Sequence, residues 1–119
     1  MPANNKIDYV EFAAKDMAAT KAFFAEVFDW SFEDYGLEYS AFTNQGLDGG
    51  FYAADKSTSF ESSGALVIFY SENLEAIQAK IEAAGGVISM PIFSFPGGRR
   101  FHFIEPSGNE MAVWSDQGL

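Results

Sequence analysis

The spacing of apolar residues changes period twice along this chain, in the same order each time. Residues 7–13, IDYVEFA, alternate as a half-buried strand does. From Asp16 the spacing turns helical, with Phe23, Phe24, Val27 and Phe28 on one face, and it runs to near Trp30. Residues 65–70, ALVIFY, read again as a strand. Asn73 then opens a second helix whose Leu74, Ile77 and Ile81 share a face, and Gly85-Gly86 stop it. Asp and Asn are strong N-caps, and glycine ends helices by taking the left-handed conformation. Three strand-like runs follow each helix, near 31–35, 38–43 and 48–53, and near 87–94, 99–104 and 110–115. The two blocks align at an offset of 57, with Tyr9 on Leu66, Val10 on Val67, Phe12 on Phe69, Asp16 on Asn73 and Met17 on Leu74. This self-similarity predicts an α+β fold of tandem βαβββ modules, in which a curved mixed sheet forms a cleft and carries its helices on the outer face. One domain is expected over 1–119, with modules at about 6–54 and 64–116. The segment 54–64, ADKSTSFESSG, then reads as a hinge between the halves.

Successive strand residues point to opposite faces, so the helix-facing residues identify the cleft-facing ones. Val10 and Phe12 belong with the helix, which leaves Tyr9, Glu11 and Ala13 for the concave side. Val67 and Phe69 likewise leave Leu66, Ile68 and Tyr70. Phe101 and Phe103 leave Arg100, His102 and Ile104, and Met111 and Val113 leave Glu110, Ala112 and Trp114.

Composition narrows the function classes. The 119 residues are 48% hydrophobic and include 13 Phe, enough to bury a core. There is no cysteine, which removes disulfides, thiolate metal sites and cysteine nucleophiles. The opening MPANNK has no apolar segment of a secretion signal, and no run has membrane-spanning length, so the expectation is a soluble cytoplasmic protein. Seventeen acidic residues against 7 basic ones give a net charge of −10, which disfavours nucleic acid and anionic membranes as partners. Neither GLDGG nor PGG opens a helix or carries a phosphate-loop lysine. A single histidine without a GxSxG elbow offers no serine-hydrolase arrangement.

The helix starts AKDMAATKAFFAEVF and SENLEAIQAKIEAAGG, together with the terminal FIEPSGNEMAVW, resemble the vicinal oxygen chelate superfamily of glyoxalases, extradiol dioxygenases, and fosfomycin- and bleomycin-resistance proteins. The resemblance covers nearly the whole chain, and the nearest group in tone is the small glyoxalase-like proteins. It implies a metal site with one His, Gln or Glu ligand on each of the first, fourth, fifth and eighth strands. The eighth-strand position, four residues after the signature glycine Gly108, is Ala112. The fifth-strand position is Leu66 and the first is Tyr9. Aligning QGLDGGFY with SGNEMAVW puts the fourth at Gly50. These four side chains do not make the nitrogen and oxygen cage such metals take, so no metal and no cofactor is expected.

What is left in the cleft is a mixed wall suited to a small organic ligand. Leu66, Ile68, Tyr70, Tyr52, Tyr9, Ala112 and Trp114 supply apolar and aromatic surface, and Asp48 and Arg100 supply polar groups. Glu11, His102 and Glu110 are the candidate catalytic residues. Each also has a plainer role: His102 as a hydrogen-bonded structural residue, the two glutamates as solvated groups at the cleft mouth, Asp48 as a turn residue, Arg100 as a surface cation. Three readings stay open: a metal-free small-molecule-binding protein, a glyoxalase-like lyase or isomerase acting on a small carbonyl compound, and an interaction module whose cleft is closed by a partner. Exposed sheet edges imply a homodimer under all three, as does the resemblance.

Overall fold

A computed structural model describes residues 3–118. Strand β1 (Tyr9–Ala14) leads into helix α1 (Met17–Phe28), then β2 (Phe32–Asp34), β3 (Tyr39–Gln45) and β4 (Leu47–Ala53). After an irregular segment the order repeats as β5 (Ile68–Tyr70), α2 (Leu74–Ala83), β6 (Val87–Phe95), β7 (Gly98–Ile104) and β8 (Glu110–Ser115). The fold class is the α+β repeat that the spacing predicts. The expected curved sheet is divided into two four-stranded mixed sheets, ordered β1-β4-β3-β2 and β5-β8-β7-β6. In each, the first strand returns through a helical crossover to pair in parallel with the fourth, as β1 with β4 and β5 with β8.

Both helices start where their caps place them. The Asp16 carboxylate accepts from the Ala19 N–H at 3.0 Å, and the Asn73 side-chain oxygen accepts from the Ala76 N–H at 3.1 Å. Helix α1 ends on Asp29, left-handed at φ 63°, whose N–H returns to Ala25 O. Helix α2 ends at Gly85, φ 98°, and the next amide, Gly86, returns to Ile81 O at 2.9 Å.

The aromatic face of α1 joins the two sheets. Phe24 packs on Phe51 of the first sheet and on Phe69 of the second, with ring centroids 5.5 and 6.4 Å apart. Phe28 stacks on Phe69 at 4.3 Å, and Phe23 reaches Phe103 at 5.9 Å. Fully burying a side chain of this size stabilises by about 2–3 kcal/mol, so this one helix face outweighs any polar contact in the molecule.

A buried hydrogen-bond node sets how the halves meet. It is built on the EPSGN turn between β7 and β8. Glu105 is 1% exposed, and its carboxylate accepts from Thr20 Oγ1 of α1 (2.6 Å), the Ser107 N–H (2.9 Å) and both the N–H and the side-chain amide of Asn109. Asn109 Nδ2 also donates to Ala13 O at the end of β1 (2.7 Å), and Asn109 Oδ1 accepts from the Thr58 N–H (2.9 Å). The Asp16 N–H donates to Ser107 Oγ at 3.0 Å. A buried carboxylate is tolerated only when its lone pairs are filled, and here they are.

Thr58 belongs to the segment 54–64, read from the sequence as a hinge. It is a strap bound along the second sheet. Thr58 O accepts from the Glu110 N–H at 2.8 Å, and Val67 O accepts from the Ala112 N–H at 3.0 Å. Among the described residues no helix is long and apolar enough to cross a membrane.

Replacing Asn109 by Ala strands Ala13 O, the Thr58 N–H and part of the Glu105 carboxylate. The expected loss is about 2–4 kcal/mol, since each buried group left unpaired costs about 1–3 kcal/mol. Thermal unfolding is expected to show a midpoint roughly 10 °C lower. A variant melting within a degree or two of the parent would contradict the role given to the node.

Candidate ligand-binding site

Strand register assembles the concave face of the second sheet row by row. Arg100 stands opposite Trp114, and Trp114 opposite Tyr70. One step along, His102, Ala112 and Ile68 make the next row. Six of the residues expected in the cleft therefore share one face. Tyr70 meets Trp114 edge-on at 5.2 Å, and its hydroxyl donates to Asp116 at 2.5 Å. The Arg100 guanidinium lies over the rings of Phe93 (5.3 Å) and Phe95 (5.9 Å). A groove of about 310 Å³ runs between Ile68, Phe95, Arg100 and Trp114.

Glu110 and His102 meet beneath the strap. His102 Nδ1 lies 3.1 Å from Glu110 Oε2, and the same oxygen accepts from Ser89 Oγ at 3.0 Å. Glu110 Oε1 accepts from the Phe60 N–H at 3.0 Å. A carboxylate can only accept, so Nδ1 carries the imidazole proton. The Phe60 ring stands edge-on to His102 at 4.9 Å and helps to bury it completely, with Nε2 left without a hydrogen-bond partner. Burial pushes the Glu110 carboxyl upward, but the Phe60 amide, the Ser89 hydroxyl and His102 outweigh it and hold the group below the usual glutamate range.

Glu11 does not join this pair; it sits in the first sheet. The Tyr39 hydroxyl donates to Glu11 at 2.8 Å and lies 2.6 Å from the Tyr9 hydroxyl. Burial first, then these two partners, push the Tyr39 hydroxyl far above the ordinary tyrosine range, so it stays protonated. Tyr39 crosses directly over Gly50, where an added Cβ would come within 2.3 Å of its hydroxyl oxygen. Asp48 Oδ1 accepts from the Asn44 N–H at 3.1 Å, which is the plain turn role. Tyr52 pairs with Ala13 and Tyr39 and is half-buried. Leu66 is also half-buried, just ahead of β5.

A cavity of about 440 Å³ is bordered by both β1 and β5, the edge strands of the two sheets. Its walls include Val10, Phe12, Val67, Phe69 and Trp30. Of these, Val10, Phe12, Val67 and Phe69 are ones that strand parity assigns to the helix side, and of the expected ligand-binding residues only Ile68 and Tyr70 border it. Ile68 also borders the groove beside Arg100. The sequence reading passed over Tyr39, Phe93 and Phe95, although parity along β3 and β6 would have found them. Phe60 lies in irregular chain and left no such signal.

The four positions that the family resemblance assigns to metal ligands do not fit a metal. Tyr9 is bonded to Tyr39, Gly50 lies under Tyr39, Leu66 is apolar, and Ala112 is fully buried. Register puts Glu11, rather than Tyr9, beside Gly50, and that row still contributes one carboxylate alone. Among the described residues no three His, Asp or Glu side chains gather as a cage.

The sequence pattern of the Glyoxalase/Bleomycin resistance protein/Dioxygenase superfamily matches residues 6–113. No curated protein matches the chain. Solved structures do. A glyoxalase-related enzyme from Fulvimarina pelagi superposes with a TM-score of 0.78 at 15% identity, over 93% of this chain and 88% of that one. A genomically encoded fosfomycin resistance protein from Listeria monocytogenes gives 0.76 at 18% identity, over 95% and 94%. Lactoylglutathione lyase from Agrobacterium tumefaciens gives 0.70 at 16% identity, over 96% of each. At these identities the likeness is one of fold.

Because the folded-state pKa of Glu110 is depressed, its anchoring of the strap is fully present above the unfolded value of about 4.3 and fades as pH falls through the lower folded value. Glu110→Gln is therefore expected to be less stable than the parent by about 1–3 kcal/mol at pH 7. Denaturant titrations of both proteins should show that gap closing below about pH 4. A gap independent of pH would mean that the carboxylate charge does not hold the strap.

Proposed function

We propose, since the chain belongs to the Glyoxalase/Bleomycin resistance protein/Dioxygenase superfamily, that it is a small-molecule-binding protein that has lost the usual metal ligands and sequesters or senses an organic compound. The observation that carries this reading is the fate of the four ligand positions, one of them a glycine filled over by the ring of Tyr39. The space that remains is lined by aromatic and aliphatic side chains with a few polar groups, the make-up of small-ligand sites. Two of the structural neighbours are named for small molecules, fosfomycin and lactoylglutathione, which points the same way. A cytoplasmic setting suits a chain without cysteine.

One observation favours a second reading, a lyase or isomerase acting on a small carbonyl compound. Glu110 fixes His102 with its Nδ1 proton in place and Nε2 unpartnered. In that reading Nε2 takes a proton from the carbon beside the carbonyl, Glu110 balances the imidazolium, and the strap lifts Phe60 to admit substrate. Glu11, bonded to Tyr39 across the cleft, stands outside this step.

A thermal-shift screen of small organic compounds separates the two readings. The binding reading expects compounds that stabilise the protein, by about 2.7 kcal/mol at a hundredfold excess over Kd, and that are recovered unchanged. Turnover of such a compound, abolished by His102→Ala, would decide for the lyase.

We further propose that the chain is a homodimer. The outer strands β2 and β6 leave sheet edges open, and Leu37 and Val87 are exposed by 94% and 60%. Sedimentation at micromolar concentration is expected to give twice the chain mass, and a monodisperse monomer would overturn this.

A further inference from the structure

We infer that the groove on the second sheet takes a planar aromatic anion, a carboxylate or sulfonate carried on a ring system, with Arg100 as its anion-binding residue. The inference rests on the small-molecule-binding reading and names its ligand class. Neighbouring arginines on β7 have opposite fates. Arg99 is neutralised by Glu75, 2.8 Å away. Arg100, on the other face of the strand, has no acidic partner among the described residues, and its buried Nε has no hydrogen-bond partner.

The carboxylates closest to it in the register are already engaged. Asp116 accepts the Tyr70 hydroxyl, and Glu110 is held by Phe60, Ser89 and His102. Phe93 and Phe95 hold the guanidinium plane through cation–π contact, which limits the entropy lost when a ligand binds. Such contact consumes none of the guanidinium N–H donors, which are left to fork onto a carboxylate or sulfonate.

The rest of the groove suits a ring. Trp114 lies directly opposite Arg100 in the ladder, and Ile68 closes the far side. A volume of about 310 Å³ sits at the small end of ligand sites, roughly 300–1,000 Å³, which suits a compound of one or two rings. In a chain of net charge −10, an unneutralised cation set among aromatics is a local reversal of sign. It selects anions at the groove while the surrounding surface repels them.

The test compares 2-naphthoate with 2-naphthalenemethanol, the same rings with and without the charge. Binding is followed by calorimetry and by quenching of tryptophan fluorescence. The parent protein is expected to bind the acid at least about tenfold more tightly, the effect of a charge-assisted forked hydrogen bond. That preference should weaken with added salt and disappear in Arg100→Met, with affinity for the alcohol unchanged. Equal binding of the two compounds by the parent overturns the anion assignment and leaves small-molecule binding standing, whatever the variant does. A preference that survives in Arg100→Met removes Arg100 from the role. No binding of either compound overturns the groove as a ligand site, and the thermal-shift screen then judges the broader reading separately.

Discussion

The Glu105 carboxylate is the constraint around which the two halves are arranged. It is an acidic side chain shut away from water, and it is accommodated only because donors from α1 and from its own turn converge on it. Asn109, bound to the same carboxylate, ties in the end of β1 and the strap. Removing any of these partners leaves a buried group unsatisfied, so the relative placement of the modules is specified and not merely favoured. The aromatic face of α1 supplies most of the burial energy, but aromatic packing alone tolerates sliding. The node gives it direction.

The cleft follows from that placement. With the β7–β8 turn pinned to β1, the edge strands β1 and β5 of the two sheets both border the 440 Å³ cavity. The strap, held through Asn109 and Glu110, covers one end of the second sheet and encloses His102. The other end stays open as the groove beside Arg100. Tyr39 fills the space over Gly50, so the first sheet presents phenol hydroxyls and one carboxylate where the resemblance leads one to look for metal ligands.

Much of this was legible in the residues. The repeated change of period marked both modules, and Asp16 and Asn73 were the caps that the structure uses. Parity put Arg100, His102, Trp114 and Tyr70 on one face, where register confirms them. Three things were not legible, each for a physical reason. The segment 54–64 has no period, so nothing in it announced a bound strap or the cover that Phe60 gives His102. Parity says which way a side chain points but not whether that side is filled, so it gave no sign of the cavity that touches Val10, Phe12, Val67 and Phe69 beside the core they pack into. The EPSGN turn carried the family resemblance, but its work as a buried node depends on contacts more than eighty residues apart, such as Thr20 with Glu105. No local pattern reports those.

The central claim is that the inherited metal site is gone and that the cleft serves an organic ligand directly. Elemental mass spectrometry of the purified protein, as isolated and after exposure to Zn²⁺, Ni²⁺, Mn²⁺ or Fe²⁺ followed by dialysis, tests it most directly. The account predicts no metal retained in proportion to chain. One equivalent of any of these ions surviving dialysis would contradict it, and would mean that side chains other than Tyr9, Gly50, Leu66 and Ala112 build the site.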